Sequence, residues 1–296
     1  PSILLSTFAI WLIYQLSLFF FPTGKKQLTA WIAAFLMAIN GLILELTGGR
    51  IATDHYDVFF MFFVLAAVYF STQHIKSKKP FLTLLIGLSI GLAILTKWLP
   101  ALIAVPVWIL LAIDSKNFTR REIMLNLLVI ISIATAVFLP WQLYIHSQFP
   151  AEAAYTTSHN MLHITEVLDN QTGPFWFFIS RMGTNYGELI YLPLVFVVIR
   201  YFKNNRDYKL LSLIIWIFIP LIFFSIAKTK MQAYILFIAP ALFLITAYFA
   251  NFLTEKAIDN KHKFINFALA VLLIALPFRY TVERLKPFSK DVRNPE

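Results

Sequence analysis

The sequence predicts an all-α polytopic membrane protein: a bundle of about ten transmembrane helices with one long outer loop that carries short interfacial helices. Three observations predict this class. Of the 296 residues, 59% are hydrophobic and 14% are charged, with a mean hydropathy of +0.72, whereas soluble domains carry roughly a quarter charged residues. Ten apolar runs reach or approach the length that crosses a bilayer. Lysine and arginine gather in alternate loops, as they do in multi-spanning proteins.

The apolar runs give the order of the predicted helices. The fourth and fifth are short for a hydrocarbon core of about 30 Å, so their pairing decides the topology. We expect one transmembrane domain over 1–296, with an outer loop over 147–187 that contains an aromatic helix after Gly173-Pro174. The runs are 2–21, 28–47, 57–73, 81–96, 98–113, 123–146, 188–202, 209–226, 231–252 and 263–280.

The basic residues predict the orientation. One set of loops holds fifteen lysines and arginines and the opposite set holds five, and the basic side of a membrane protein is normally cytoplasmic. We call the basic-poor side the outer side. The net charge of +10 then follows from membrane insertion beside anionic lipid headgroups, and nucleic-acid binding is not expected.

Two features of composition narrow the chemistry. The absence of Cys excludes disulfides, thiolate metal sites and a cysteine nucleophile. The chain starts at Pro1, without an initiating methionine or the start of a signal peptide. We therefore expect it to be part of a longer protein whose N-terminus precedes residue 1.

Cations that remain on the outer side point to an anionic ligand. Lys97 lies in a tight turn between two apolar runs, and Lys228 and Lys230 flank a threonine in a short loop. Such a loop can hold a phosphate by charge and hydrogen bonds. Arg181 and Tyr234 would add a guanidinium and a phenol if folding brings them close. The alternative for Lys97 is a side chain that only reaches the membrane surface.

Carboxylates lie near the same side. Asp54 and Asp57 are three residues apart at the start of a predicted helix, where they would share a face and serve as a general base, metal ligands or helix-start charges. Capping of the helix is the alternative role for either residue.

Histidines of the long loop suggest a metal. His159 and His163 are four residues apart and Glu166 follows three later, a spacing that can bind a divalent metal ion on one helical face. Ordinary hydrogen bonding of these histidines is the alternative.

Five short motifs resemble one family. They resemble bacterial membrane glycosyltransferases of the GT-C fold, relatives of protein O-mannosyltransferases and aminoarabinose lipid A transferases, and they follow in that family's order over nearly the whole chain. The motifs are Arg50-Ile51-Ala52-Thr53-Asp54 with the aromatic stretch after it, Gly91 to Lys97, Leu139-Pro140-Trp141, Gly173-Pro174-Phe175-Trp176 and Ser225 to Tyr234.

The resemblance implies inverting transfer of a sugar from a polyprenyl-phosphate donor to a protein, lipid A or other glycan acceptor, at the outer face of the bacterial cytoplasmic membrane. A carboxylate would deprotonate the acceptor and cations would hold the leaving phosphate. It assigns donor binding to Lys97, Lys228, Lys230 and Tyr234, and the acidic role to Asp54, with Asp57 in reserve.

Two departures from the family pattern are visible. The family's principal catalytic acid lies in the first outer loop, which we expect before residue 1, so this stretch alone is predicted to be inactive. His159 matches a histidine of a metal site in some relatives, but His163 stands where an arginine usually follows.

Two other classes of function stay open. A transporter or flippase for anionic lipids or solutes would also need cations, but within helices near the midplane. Glu45 is the one ionisable residue clearly inside an apolar run, near its outer end. An assembly subunit would tolerate alanine at Asp54 and Lys97.

Overall fold

The computed structural model describes residues 1–50, 55–203, 207–259 and 263–286. Within these ranges all regular elements are helical. Short 3-10 turns precede α6, α10 and α12. The α-helices are α1 Ser2–Phe20, α2 Lys26–Ala38, α3 Gly41–Thr47, α4 His55–Ser77, α5 Phe81–Lys97, α6 Ala104–Ser115, α7 Arg120–Gln148, α8 Pro150–Thr165, α9 Phe177–Tyr186, α10 Tyr191–Lys203, α11 Tyr208–Ile226, α12 Ala239–Asp259 and α13 Lys263–Leu285.

The long apolar helices agree with the predicted class of membrane protein. Among the described residues, six helices are long and apolar enough to cross a membrane, or up to eight if each of two bent pairs forms one span. The fourth and fifth apolar runs form the shorter helices Phe81–Lys97 and Leu99–Ser115, the two that the sequence shows to be short. The predicted all-helical membrane fold is therefore confirmed.

Two bends separate consecutive helices, one inside the predicted run 28–47 and the other between the predicted outer loop and the run 188–202. Asn40 separates α2 from α3, which differ in direction by 50°, and its side chain accepts the amide of Ile43 to start α3. A sharper bend of 119° separates α9 from the helix that follows Gly187. Gly187 has φ +92°, and a Cβ there would lie 2.9 Å from the ring of Pro277. Only glycine meets both conditions without strain.

Close contact between α5 and α7 depends on two glycines four residues apart. A Cβ on Gly87 would lie 2.7 Å from the carbonyl oxygen of Ile130, and one on Gly91 would lie 2.9 Å from that of Ala134. Small residues at this spacing let helix backbones approach in lipid, where packing replaces the hydrophobic effect. Ile130 and Ala134 are also the buried residues of α7, whose other faces are open to lipid.

The helix ends separate into two groups, as the charge pattern predicts. At the basic end, the ammonium groups of Lys76 and Lys209 lie 5.3 and 5.0 Å from the centre of the Phe19 ring. At the opposite end, Lys97 contacts the segment that follows α11. The outer loop over 147–187 contains α8 and α9 and packs at this second end.

Candidate functional site

Four side chains form the outer cluster: Asp57, Lys97, Tyr234 and His163. Asp57 lies in the first turn of α4 and Lys97 is the last residue of α5, and the two form an ion pair. The Asp57 side chain is 4% exposed and that of Lys97 is 23% exposed. A buried carboxylate is tolerated when a cation pairs with it. The pair therefore depends on the start of α4 and the end of α5 lying side by side.

The turn after Lys97 has an unusual backbone. Trp98 ends α5 with φ 71° and ψ −155°, a region that costs a non-glycine residue about 1–3 kcal/mol. The helix therefore stops abruptly, and the next apolar segment starts at Leu99. Lys97 is the last helical residue, so its side chain emerges at the outer end rather than within the bundle.

Tyr234 joins this ion pair to the long outer loop. The Lys97 ammonium lies 4.6 Å from the centre of the Tyr234 ring, within the range of a cation–π contact. The Tyr234 hydroxyl is 3.0 Å from Nδ1 of His163. The outer cluster thus brings together a carboxylate, an ammonium, a phenol and an imidazole from four distant parts of the chain.

The loop after α11 carries Lys228 and Lys230, which the sequence analysis assigns to the same role but which have different surroundings in the structure. The Lys230 ammonium is buried and donates to the carbonyl oxygens of Ser225 and Ala227 at 2.7 Å and of Phe224 at 3.4 Å. These carbonyls belong to the C-terminal end of α11, where a positive charge is favoured. Burial lowers the pKa of Lys230, and the charge of Lys228 adds to this effect.

Lys228 differs from Lys230 in its surroundings. Its side chain is exposed, and its backbone amide donates to the carbonyl of Ile164 in the outer loop. Lys230 directs its ammonium to three carbonyls and would have to leave them to bind a phosphate. Of the two lysines, Lys228 is the one positioned to meet a ligand.

The structure also gives contacts for two further outer cations, Arg181 and Arg50. Arg181 lies on α9, exposed, with its guanidinium 5.7 Å from the centre of the Phe177 ring, and within the described ranges it forms no ion pair. Arg50 donates to the carbonyls of Leu285 and Lys286 at the end of α13. The structure therefore does not bring Arg181 into the outer cluster, and it gives the outer cation Arg50 a capping contact.

His159 and His163 both lie on α8, with ring centres 5.0 Å apart. Burial lowers the pKa of His163, as do the nearby His159 and Lys97, whereas Asp169 raises it. Glu166 follows the helix and is exposed. In the part of the chain that the structure describes, no group of three or more His, Asp or Glu residues converges as a metal site. A metal ion at His159 stays a prediction.

Asp54, the first choice for the acidic role, lies outside the described residues. Asp57, the second choice, belongs to the outer cluster. The sequence did not indicate that His163 would contact Tyr234, because 71 residues separate them and the pattern along the chain does not show which helices and loops pack together.

A second polar group supports the outer end of the bundle. Arg284 on α13 donates to Glu45 at 2.6 Å and to the side-chain oxygen of Asn185 at 2.9 Å. Gln232 donates to the same oxygen, and Asn40 donates to the Asn185 carbonyl at 2.7 Å. Charges within membrane segments are normally paired, so the lone Glu45 in its apolar run was the available signal for this network.

Comparison with known proteins gives a family match and several relatives. The family model described as dolichyl-phosphate-mannose-protein mannosyltransferase matches residues 2–156. An undecaprenyl phosphate-alpha-4-amino-4-deoxy-L-arabinose arabinosyl transferase of Pseudomonas fluorescens is 25% identical over 252 residues, which are 82% of this chain and 44% of that protein. The enzyme of the same description from an Enterobacter species is 31% identical over 66% of this chain and 36% of its own length.

A solved structure shares the fold. The crystal structure of ArnT from Cupriavidus metallidurans bound to undecaprenyl phosphate has a TM-score of 0.60 and 16% sequence identity, covering 96% of this chain and 56% of that one. The same protein in the apo state gives a TM-score of 0.56. This chain therefore spans about half, or less, of the length of the proteins it matches.

Proposed function

The chain belongs to the dolichyl-phosphate-mannose-protein mannosyltransferase family, and from this premise we propose that it forms the membrane part of a glycosyltransferase that uses a polyprenyl-phosphate sugar donor. The observation that carries the proposal is the outer cluster, in which a buried carboxylate and a partly exposed ammonium meet at one end of an integral membrane bundle. Transfer of a sugar from a phosphate needs a base for the acceptor hydroxyl and a cation for the leaving phosphate.

The reaction assigns a role to each group. An acceptor hydroxyl loses its proton to a carboxylate, and its oxygen bonds to the anomeric carbon of the sugar from the face opposite the phosphate. The bond from that carbon to the phosphate oxygen breaks, and the electron pair stays on the polyprenyl phosphate. The anomeric configuration is inverted.

Lys97 and Lys228 would hold the leaving phosphate, where negative charge increases as the bond breaks. The Lys97 side chain is 23% exposed and its ammonium sits over the Tyr234 ring, so part of this side chain is open to the outer side. Lys228 is exposed in the adjacent loop. We retain Tyr234 as a donor-site residue because it contacts Lys97, and we place Arg181 outside the site.

Asp57 is the described residue best placed to act as the base, and Asp54 is an alternative that precedes it by three residues. In the outer cluster Asp57 is paired with Lys97. A donor phosphate that attracts Lys97 would weaken this pair and leave the carboxylate able to accept the proton of the acceptor hydroxyl. Donor binding would then prepare the base.

The location follows from the charge bias and the relatives. The relatives are named as enzymes that use undecaprenyl phosphate-linked aminoarabinose, which leads us to propose the bacterial inner membrane, with the outer cluster facing the periplasm. The acceptor is lipid A, a protein or another glycan. A divalent metal ion at His159 is part of the same proposal, and no step of the reaction above uses it.

The test measures donor consumption by the full-length protein in membranes. A panel of undecaprenyl-phosphate sugars is supplied, and release of undecaprenyl phosphate is followed for the wild type and for Lys97→Met, Asp57→Asn and Lys228→Met. Lys79→Met, an exposed lysine of a basic loop, is the matched control. We expect one donor to be consumed and the outer variants to lose at least tenfold in rate, as removal of one charge-stabilising group usually does.

Either of two results would overturn the proposal. One is that no donor of the panel is consumed by a folded, full-length protein. The other is that all three outer variants, at normal abundance, behave like Lys79→Met. The transporter alternative would then predict uptake or flipping of an anionic lipid, which the same membranes can report.

A further inference from the structure

The long outer loop is held against the loop after α11 by backbone hydrogen bonds. The amides of Lys228, Thr229 and Lys230 donate to the carbonyl oxygens of Ile164, His163 and Gln171, at 3.1, 3.0 and 2.9 Å. Three consecutive amides thus contact a stretch of the outer loop that runs from His163, in the last turn of α8, to Gln171. The two loops form one unit at the outer end.

Thr229 is the centre of this unit. Its side chain is 1% exposed, and its hydroxyl donates to the carbonyl of Glu166 at 2.8 Å and accepts the amide of Leu168 at 3.0 Å. A hydroxyl has one proton and two lone pairs, so a single side chain satisfies a donor and an acceptor of the same turn. The turn 166–168 is closed around Thr229 rather than by its own backbone.

The position of His163 depends on the same residue. The Thr229 amide binds the His163 carbonyl, while the His163 ring contacts the Tyr234 hydroxyl. Lys228 precedes Thr229 and is exposed. The hydrogen bonds of Thr229 therefore hold the imidazole that contacts Tyr234, the ring over which Lys97 lies, and the loop that carries Lys228.

We propose that Thr229 is a positioning residue for the headgroup site: by binding Glu166 and Leu168 it holds the outer loop so that His163 and Lys228 face the phosphate of a polyprenyl-phosphate donor. The inference rests on the proposed function and goes further, because it makes donor binding depend on a threonine that contacts no ligand. Both methyl and hydroxyl groups are buried, so a change of the hydroxyl alone tests it.

Three variants in the full-length protein separate the hydroxyl from the shape of the side chain. Thr229→Val keeps the shape and removes both hydrogen bonds, Thr229→Ser keeps the hydroxyl, and Thr229→Ala removes both hydrogen bonds together with the methyl group. Thr246→Val is the matched control, because Thr246 is equally buried but its hydroxyl only donates to Leu242 within its own helix.

We expect Thr229→Val to raise the KM for the undecaprenyl-phosphate sugar about tenfold, the effect of one lost hydrogen bond on affinity, with kcat changed less than about threefold. Thr229→Ser should return KM to within about twofold of the wild type, and Thr246→Val should match the wild type. If Thr229→Val does not fold, Thr229→Ala supplies the same comparison.

A second measurement does not require activity. These 296 residues contain no cysteine, so Val167→Cys, at a position 47% exposed, places a spin label on the turn that Thr229 closes, with any cysteine elsewhere in the full-length protein replaced by serine. We expect the label to become more mobile with Thr229→Val and to stay immobile with Thr229→Ser.

The outcomes distinguish this inference from the proposed function. An unchanged KM in folded Thr229→Val or Thr229→Ala, or a fall in kcat at constant KM, refutes the positioning role even when Lys97→Met still abolishes turnover. If Lys97→Met, Asp57→Asn and Lys228→Met all leave turnover intact as well, the proposed function itself fails. A raised KM without a change in label mobility would also refute the inference, because Thr229 would then not act by holding the outer loop.

Discussion

The ion pair between Lys97 and Asp57 predicts a stability effect that can be separated from activity. Lys97→Met removes the ammonium that offsets burial of a carboxylate that is 4% exposed. Loss of one partner of a buried pair costs about 3–5 kcal/mol. Because Lys97 keeps 23% exposure, water screens the pair in part, and we expect the lower value, about 3 kcal/mol.

The double variant Lys97→Met with Asp57→Asn removes both charges. Replacing a buried pair by neutral groups of similar size is often close to neutral for stability, so the double variant should unfold within about 1 kcal/mol of the wild type. Activity should be absent from the single and the double variants, because the base and the phosphate ligand are gone.

The assay is the free energy of unfolding of the purified full-length protein in detergent, followed by loss of helical signal, together with donor consumption in membranes. The coupling energy between the two changes should be at least about 2 kcal/mol, because Lys97→Met alone costs about 3 kcal/mol and the double variant about 1 kcal/mol or less. Additive losses, with the double variant less stable than either single variant, would refute the buried ion pair. Recovery of activity in the double variant would refute the roles given to the two residues.

Four further predictions follow from single features. Lys230→Met should lower the free energy of unfolding by about 2 kcal/mol, because the C-terminal end of α11 loses its cap. Lys228→Met should change the free energy of unfolding by less than about 0.5 kcal/mol and weaken donor binding. Equal losses of stability in the two variants would contradict this prediction. Gly91→Leu should prevent close packing of α7 and reduce the folded yield severalfold on size-exclusion chromatography, and a normal yield would exclude that contact. The pKa of His163 is lowered in the folded protein, so between that pKa and about 6.5 the unfolded chain binds more protons than the folded protein. The free energy of unfolding should therefore be highest above about pH 6.5 and should decrease as the pH falls toward the lowered pKa. A pH titration of unfolding should show this loss, and His163→Gln should abolish it. If a metal ion binds at His159, chelation should reduce donor turnover and His159→Ala should remove the response to chelator.

Much of the fold could be predicted because hydropathy and charge are properties of successive residues. The predicted apolar runs correspond to helices, and the short fourth and fifth runs are short in the structure. The pairing of Gly87 and Gly91 with α7, and the bends at Asn40 and Gly187, could not be predicted because they depend on the neighbour that each position meets.

The sequence by itself determined the membrane class, the side on which the charged groups gather and the set of candidate residues, since lipid imposes apolar length and insertion imposes charge bias. Only the tertiary structure decided which of these candidates are exposed and which are bound by other groups of the protein. Lys228 and Lys230 differ by two positions, yet one ammonium is exposed and the other binds three carbonyls. The physical reason is that a hydrogen-bond partner is set by proximity in space: His163 lies beside Tyr234, 71 residues away in the chain, where backbone amides of 228–230 bind the two outer loops together.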